Sequence, residues 1–290
     1  MKKLKYIFEY IIFLLFTHAL RLFSLDNSAS ICAWLLRKIG PYLKVSKTAR
    51  KNLIKIYGTN INIDNLIDDL WDNFGRYIGE FPFINELSNE EFDQRVTIKN
   101  LENIKDCQEN QQPYLLCLAH QANWDFVIRK INFLYPKFSI IYRKANNPYF
   151  DQKILQERIT STGINMIAKG TVGSKDIINA IKTKASIAML IDQKMNDGIE
   201  VPFFNLPAMT APAIARLHLK YKYPIIPAQI VRKGKTSNFE IILHPPLQYS
   251  PTNDIDQDCY NIMLQINKIL EGWIREHPSQ WFWFHNRWKD

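Results

Sequence analysis

Two side chains capable of proton transfer, His120 and Asp125, lie in the stretch YLLCLAHQANWDF at residues 114–126. The histidine follows an apolar run typical of a buried strand, and the carboxylate comes five positions later, beyond a short polar turn. If the turn brings them together, the carboxylate can fix the imidazole tautomer while the other ring nitrogen accepts a proton. The spacing is also compatible with a plain helix start, in which Asn123 is the N-cap and Asp125 a first-turn carboxylate.

The elements that would position these residues are short apolar runs that alternate with amphipathic stretches from about residue 111 onward. The pattern predicts strands over Tyr114–Ala119, Phe138–Tyr142, Ile164–Ala168, Ser186–Ile191, Tyr223–Val231 and Phe239–Leu243. It predicts helices over Asn123–Leu134, Pro148–Ser161, Ser174–Lys184, Ala211–Tyr221 and Ile255–Glu276. This alternation indicates an α/β fold with a mostly parallel central sheet flanked by helices.

Ligands of such sheets gather at the carboxyl ends of the strands. Four polar residues, His120, Arg143, Lys169 and Asp192, each fall just after a predicted strand. We therefore expect the functional site at this edge of the sheet.

The first 25 residues open with Lys2, Lys3 and Lys5, and an apolar span then runs to about Phe23. We predict that residues 1–25 form a membrane-anchor helix, spanning or interfacial, although charged residues make the span marginal for a full crossing. A cleaved signal peptide and a soluble core helix are the alternatives. Basic residues continue over positions 37–55, where they would favour the cytoplasmic side and anionic headgroups.

Residues 26–110 form a predicted helical N-terminal region, and residues 111–290 a predicted α/β domain. Helical periodicity covers Ser28–Ile39, Lys47–Tyr57 and Asp64–Phe83, and Ser88 with Glu91 has the spacing of a capping box.

Composition narrows the classes of function. The chain has 290 residues, a formal net charge of +9 and 47% hydrophobic residues, which suits a folded protein with a large core. The basic residues are dispersed, with no Arg/Lys run longer than two, so we predict no nucleic-acid partner. The four cysteines form no C-x-x-C pair, and no His/Cys cluster has metal-ligand spacing, so we predict reduced thiols and no metal.

Four blocks of sequence carry a family resemblance. In chain order they are AHQANWD, YRKANNPYFDQKILQERITSTG, LIDQKMNDGIEVPFFNLPAMTAPAIARL and HPSQWFWFHNRWK. Together they resemble the late acyltransferases of lipid A biosynthesis, the lauroyl/myristoyl type, within the lysophospholipid-acyltransferase-like superfamily.

The resemblance implies transfer of a fatty acyl chain from acyl carrier protein to a hydroxyl of a glucosamine-based lipid A precursor. His120 would be the general base and Asp125 would orient it, and the thioester donor would require neither a metal nor another cofactor. The enzyme would work at the bacterial inner membrane, with the catalytic domain on the cytoplasmic side.

The same resemblance places Asn123, Arg143, Arg158, Asp192 and Gln193 in the substrate-binding set. A planar guanidinium suits a phosphate or sugar-phosphate headgroup, so the two arginines are assigned to positioning of the acceptor. Simpler interpretations stay open: an ordinary surface ion pair for Arg158 and a structural turn for Asp192.

Further residues fit the third and fourth blocks. Phe203, Phe204 and Thr210 would line an acyl-chain groove, although core packing is the commoner role of an aromatic residue. The aromatic C-terminus is expected to close the core beside the site rather than to form an interfacial belt, with Arg287 facing the substrate.

Two departures stand at Ala122 and Asn205, where many relatives carry glycine, which indicates turns that tolerate a side chain. Two alternatives to the main prediction are an acyltransferase for another glycolipid or lysophospholipid, and a non-enzymatic membrane lipid-binding protein of the same fold. A hydrolase is disfavoured because no G-x-S-x-G nucleophile elbow is present.

Overall fold

The computed structural model describes residues 2–58, 61–131, 134 and 137–288. The helices are α1 (Lys2–Leu20), α2 (Leu25–Ile39), α3 (Lys44–Tyr57), α4 (Ile63–Glu80), α5 (Asn89–Arg95), α6 (Lys105–Glu109), α7 (Trp124–Ile131), α8 (Pro148–Thr162), α9 (Thr171–Lys182), α10 (Ala213–Tyr221) and α11 (Ile255–Glu276). The strands are β1 (Val96–Lys99), β2 (Leu115–Leu118), β3 (Phe138–Tyr142), β4 (Asn165–Ala168), β5 (Ser186–Leu190), β6 (Lys194–Phe203), β7 (Leu206–Thr210), β8 (Ile225–Arg232) and β9 (Phe239–Leu243).

Seven strands form one sheet in the order β1-β9-β8-β2-β5-β3-β4. Neighbouring strands are parallel except for β8 and β9, which pair antiparallel. Strands β6 and β7 form a separate antiparallel hairpin. The predicted α/β fold with a mostly parallel sheet is therefore confirmed.

Both faces of the sheet are buried, as the apolar run in β2 requires. Leu115 and Cys117 point into a core cluster shared with α10, α11 and the C-terminal tryptophans. Tyr114, Leu116 and Leu118 point into a second cluster on the opposite face, which includes residues of α7. The alternation along β2 places His120, two positions beyond its end, at the rim of the sheet.

Helices α2 and α4 pack closely because α4 presents two glycines to its neighbour. A Cβ added to Gly75 would lie 2.5 Å from Ala33 Cα, and one added to Gly79 would lie 2.5 Å from the carbonyl oxygen of Ser28. These approaches leave no room for a side chain, so α4 is held directly against α2.

Two features differ from the sequence prediction. Val96–Lys99 was predicted to belong to a helical region but forms β1, which pairs in parallel with β9 at the sheet edge. The segment after Asp192 forms the β6–β7 hairpin, whose turn residues Phe204 and Asn205 both have positive φ, at 53° and 58°. Strand β1 depends on pairing with a strand more than 100 residues away, which its own four residues do not signal. The hairpin is a local pairing, and its turn lacks the glycine that usually marks such a turn. Position 289 and part of the predicted helix Asn123–Leu134 lie outside the described residues.

The N-terminal helix α1 packs against the start of α8. Tyr10 stacks on Tyr149, Phe13 meets Phe150 edge-on, and Asn147 Nδ2 donates to the carbonyl oxygen of Tyr6. Among the described residues, no helix combines the length and apolar character that a membrane crossing requires. The predicted anchor helix, spanning or interfacial, therefore stays a prediction.

Candidate active site

The turn after β2 carries His120 and is clamped by the C-terminal segment. Gln121 forms an isolated antiparallel bridge with Trp281. The amide of Phe282 donates to the His120 carbonyl at 3.0 Å, and the amide of Ala122 donates to the Gln280 carbonyl at 2.8 Å. Ala122 adopts a left-handed conformation with φ of 49°. This strained turn is therefore fixed on both sides of the histidine by backbone contacts.

Asp192 is the carboxylate that contacts the His120 ring. Its Oδ1 lies 2.7 Å from His120 Nδ1, and its Oδ2 accepts from the His120 backbone amide at 3.0 Å. Register explains the meeting, because Leu118 of β2 pairs with Leu190 of β5 and each functional residue comes two positions later. Neighbouring parallel strands thus deliver both side chains to the same point of the carboxyl edge.

The surroundings of Asp192 keep it ionised. Trp281 Nε1 donates to Oδ2 at 2.7 Å, and both residues are fully buried. Burial alone would raise the pKa of Asp192, but the charge and hydrogen bond of His120, with His285 and Trp281, hold that pKa below its usual range. Because an ionised carboxylate can only accept, the pairing assigns the proton to Nδ1 of His120.

His120 itself remains accessible on its other side. Its side chain is 20% exposed, and its ring packs edge-on against Trp124 at a centroid distance of 5.0 Å. In the described part of the chain, no hydrogen bond engages Nε2, so this nitrogen can accept a proton from a bound hydroxyl. The pair has the chemistry of a general base held in one tautomer.

Asp125 does not contact His120, which corrects the orienting role expected from the sequence. Its Oδ2 accepts from the Tyr77 hydroxyl at 2.8 Å, and its Oδ1 accepts from Arg158 Nε at 2.8 Å. The physical reason is that α7 begins at Trp124, so the first-turn carboxylate faces α4 and α8. Its place in the catalytic set stays a prediction.

The cluster around Asp125 is electrostatically coupled. Burial and the adjacent Asp125 carboxylate raise the pKa of Tyr77 well above its usual value. Burial alone would lower the pKa of Arg158, but Asp125 and Tyr77 raise it overall. Tyr77 also stacks on Trp124 at 4.4 Å. The cluster therefore reaches His120 through the Trp124 ring rather than by a hydrogen bond.

Asn123 is fully buried, and its predicted part in substrate binding stays a prediction. Its Oδ1 accepts from the Asp125 amide at 3.2 Å and its Nδ2 donates to Glu80 Oε2 at 2.8 Å. Glu80 in turn receives both terminal nitrogens of Arg232 and the Ser237 hydroxyl. Asn123 thus directly precedes α7 and ties its start to the buried Glu80–Arg232 ion pair.

The remaining predicted residues lie along the same rim. Arg143 is exposed directly after β3, and Gln193 is partly buried directly after Asp192. The structure brings His120, Asp192 and Gln193 together and places Arg158 with Asp125. Among the described residues, no group of three or more His, Cys, Asp or Glu side chains could hold a metal ion.

Sequence reasoning missed Tyr77, Glu80, Arg232 and the role of Trp281 in holding Asp192. Each acts across a separation of tens of residues, for which local spacing carries no signal. Burial also lowers the pKa of His285 to about 4, and its Nε2 has no hydrogen-bond partner in the described chain. The dense aromatic C-terminus was the available hint, and Trp281, Trp283 and Trp288 are buried in the core.

Comparison with known proteins identifies relatives. The profile of a family described as bacterial lipid A biosynthesis acyltransferase matches residues 1–290. The lipid A biosynthesis lauroyltransferase of Escherichia coli (strain K12) is 25% identical over 198 residues, which cover 65% of this chain and 60% of that protein. The palmitoleoyltransferase of the same strain is 23% identical over 195 residues, 66% of this chain and 61% of that protein.

The matched part thus spans about 60% of the length of these curated relatives. Among solved structures, the translation initiation factor eIF-2B of Pyrococcus horikoshii OT3 aligns with a TM-score of 0.25 and 11% identity, over 79% of this chain and 90% of that one. So low a score carries no argument about fold or function.

Proposed function

The chain belongs to the bacterial lipid A biosynthesis acyltransferase family, and on that premise we propose that it transfers a fatty acyl chain from acyl carrier protein to a hydroxyl of a lipid A precursor. The observation that carries the proposal is the His120–Asp192 pair at the carboxyl edge of the sheet, with Nδ1 and Oδ1 2.7 Å apart. In the proposed reaction the acyl carrier protein thioester is a co-substrate, and no cofactor is used.

The pair supports attack of a hydroxyl on a thioester. His120 Nε2 takes the proton of the acceptor hydroxyl as its oxygen bonds to the thioester carbonyl carbon. The resulting imidazolium is stabilised by Asp192, and collapse of the tetrahedral species breaks the carbon–sulfur bond. The proton then passes to the departing thiolate, so an ester and a free thiol result. General-base catalysis of this kind contributes about 10²–10⁴-fold.

Asp125 and Arg158 take a positioning role in this proposal. In their ion pair, Arg158 Nη2 lies 2.7 Å from Asp125 Oδ1. The pair is linked to His120 through Tyr77, which donates to Asp125 and stacks on Trp124, the ring that His120 contacts. It fixes the start of α7 and therefore the wall against which the imidazole packs. Arg143 and Gln193 are the predicted residues that remain able to reach a substrate.

The proposed location is the cytoplasmic face of the bacterial inner membrane. While part of α1 packs on α8, the helix also exposes six large apolar side chains. They are Leu4, Phe8, Ile11, Ile12, Leu15 and Phe16, which we call the apolar face of α1. Lys2, Lys3 and Lys5 are exposed beside it, a combination that suits an anionic lipid surface.

The test is product identification with the purified full chain. Acyl carrier protein thioesters of several lengths are incubated with a tetra-acylated lipid A precursor, and products are analysed by mass spectrometry. The proposal predicts one added acyl chain on the precursor. Acylation of a lysophospholipid or another glycolipid instead would show that the acceptor is not a lipid A precursor. Binding of these lipids without any product would favour the non-enzymatic alternative.

A further inference from the structure

Two cations extend the row of polar residues along the carboxyl edge beyond His120 and Asp192. Strand β3 pairs with β5 and β4 pairs with β3, with Ile141 opposite Met189 and Tyr142 opposite Ala168. Arg143 and Lys169 are the next residues of their strands. They therefore emerge side by side at the carboxyl edge. Counted from the Ile141–Met189 pair, Arg143 is level with Ile191, one residue before the level of the His120–Asp192 pair.

The backbone holds this adjacency firmly. The amide of Lys169 donates to the carbonyl of Tyr142 at 2.8 Å, directly before Arg143. Since adjacent strands lie about 4.8 Å apart, the two cationic residues start about 10 and 14 Å from the strand of His120. That separation is suited to a charged group of a substrate whose reacting atom lies at the histidine.

The two cations lack an acidic partner of their own. Throughout the described ranges, no carboxylate forms an ion pair with Arg143 or Lys169. Asp151, the acid that begins α8, instead accepts from the backbone amide of Ala145 at 2.8 Å. Desolvation by surrounding protein and the nearby charge of Arg143 both lower the pKa of Lys169, so the pair repels itself when no anion is bound.

We propose that Arg143 and Lys169 together bind a phosphate group of a substrate held at His120. A guanidinium fork beside an ammonium matches the oxygens of a phosphate, whose charge offsets the repulsion between the cations. This inference rests on the proposed function for the identity of the substrate. The phosphate belongs either to the glycolipid acceptor or to the prosthetic arm of acyl carrier protein.

A binding experiment tests the site without catalysis. The full chain is titrated with glucosamine 1-phosphate and, separately, with glucosamine, with binding followed by nuclear magnetic resonance of the ligand. The variant Arg143→Gln/Lys169→Gln removes both charges. The control Lys105→Gln/Lys182→Gln also removes two exposed positive charges. They lie in α6 and at the end of α9, the helices that precede β2 and β5 in the chain.

The expected result is phosphate-dependent binding that the control retains and that Arg143→Gln/Lys169→Gln weakens about 10- to 100-fold. Equal binding by that variant and the wild type would overturn the inference. Failure of the wild type to bind the phosphorylated sugar would exclude the acceptor as the source of the phosphate and leave only the donor, which the kinetics below then test. If the wild type binds this sugar but transfers no acyl group, the phosphate site stands and the proposed function fails.

Kinetics then distinguish the two sources of phosphate. If the acceptor supplies it, the variant raises the KM for the phosphorylated acceptor, and removal of the acceptor phosphates has the same effect on the wild type. If the donor supplies it, the KM for acyl carrier protein rises, while an acyl-pantetheine without phosphate is used equally by both proteins. Unchanged KM values for both substrates would contradict the proposal.

Discussion

Asp192 accepts three hydrogen bonds in a fully buried position, one from Trp281 and two from His120. Such a carboxylate is both immobile and ionised, so it can hold the imidazole through proton uptake and release. Asp125, by contrast, is engaged by Tyr77 and Arg158. Asp192 therefore contacts the imidazole, whereas Asp125 belongs to a separate ion pair. Substitutions of the two carboxylates should accordingly have different effects.

Replacement of Asp125 by Asn should mainly reduce stability. It removes the charge that compensates Arg158, whose side chain is 18% exposed, and we expect a loss of roughly 2–4 kcal/mol in the free energy of unfolding. Chemical denaturation measures this. Asp68→Asn is the control, because its ion pair with Arg37 is exposed on both sides and its loss should cost under about 1 kcal/mol. Equal effects of the two variants would contradict the assignment.

His285 predicts a pH dependence of stability. Because burial lowers its folded pKa to about 4, the unfolded chain, with a pKa near 6.5, binds more protons between these values. Stability should therefore fall as pH drops from about 6.5 to about 4, with a slope of up to about 1.4 kcal/mol per pH unit from this group.

In His285→Gln this part of the slope should disappear, as measured by thermal unfolding at a series of pH values. His18→Gln is the control, since it removes an imidazole that is exposed on α1 rather than buried in the core. A wild-type slope in His285→Gln would show that His285 is not the responsible group.

At the scale of single residues, the sequence pointed to His120 but not to Asp192 as the carboxylate that contacts its ring. The carboxylate five positions away was the natural choice, whereas the actual partner is 72 positions away along the chain. The register between β2 and β5 brings Asp192 to His120. The spacing of neighbouring residues in the sequence does not reveal that these two strands pair, or in which register. Asn123 illustrates the same gap, because its partner Glu80 lies on a separate helix.

At the scale of elements, the contact between α2 and α4 depends on glycine. We predict that Gly79→Ala lowers the free energy of unfolding by about 1–3 kcal/mol, because the added Cβ meets the backbone of Ser28 at 2.5 Å. Gly272→Ala in α11 is the matched control: nothing lies within 4 Å of its added Cβ.

The control substitution should therefore stabilise the protein by up to about 1 kcal/mol through helix propensity. Both values come from denaturant titrations. Stabilisation by Gly79→Ala would mean that α2 and α4 are further apart than described.

Elements with strong local signals were predictable. Helix α11 spans Ile255–Glu276 as expected, since Asp254 caps it by accepting from the amides of Asp256 and Gln257. The capping box of Ser88 and Glu91 is also confirmed. Strand β1 was missed because its four residues gain stability from pairing with β9 rather than from their own pattern.

At the scale of the whole molecule, the N-terminal region and the sheet share the site. Helix α4 supplies Tyr77 to Asp125 and Glu80 to Arg232 of β8. The predicted boundary at residue 110 stays a prediction, but the site draws residues from both sides of it. The mostly parallel sheet was predictable because alternating strands and helices admit few other arrangements.

The apolar face of α1 predicts binding to lipid surfaces. Phe8→Ser/Leu15→Ser should reduce co-sedimentation with anionic phospholipid vesicles at least about 10-fold, because these side chains are 65% and 67% exposed to water in the protein. Ile178→Ser/Ile255→Ser is the control, as it removes exposed apolar side chains from α9 and α11. Wild-type binding by the α1 variant would place the membrane contact elsewhere.

The central claim is that His120, oriented by Asp192, is the base that activates the acceptor hydroxyl. Single-turnover transfer from an acyl carrier protein thioester to the lipid A precursor measures it most directly, in the wild type, His120→Gln and Asp192→Asn, each checked for folding by circular dichroism. We predict that the rate constant falls about 10²–10⁴-fold in both folded variants. A wild-type rate in either variant would contradict the account.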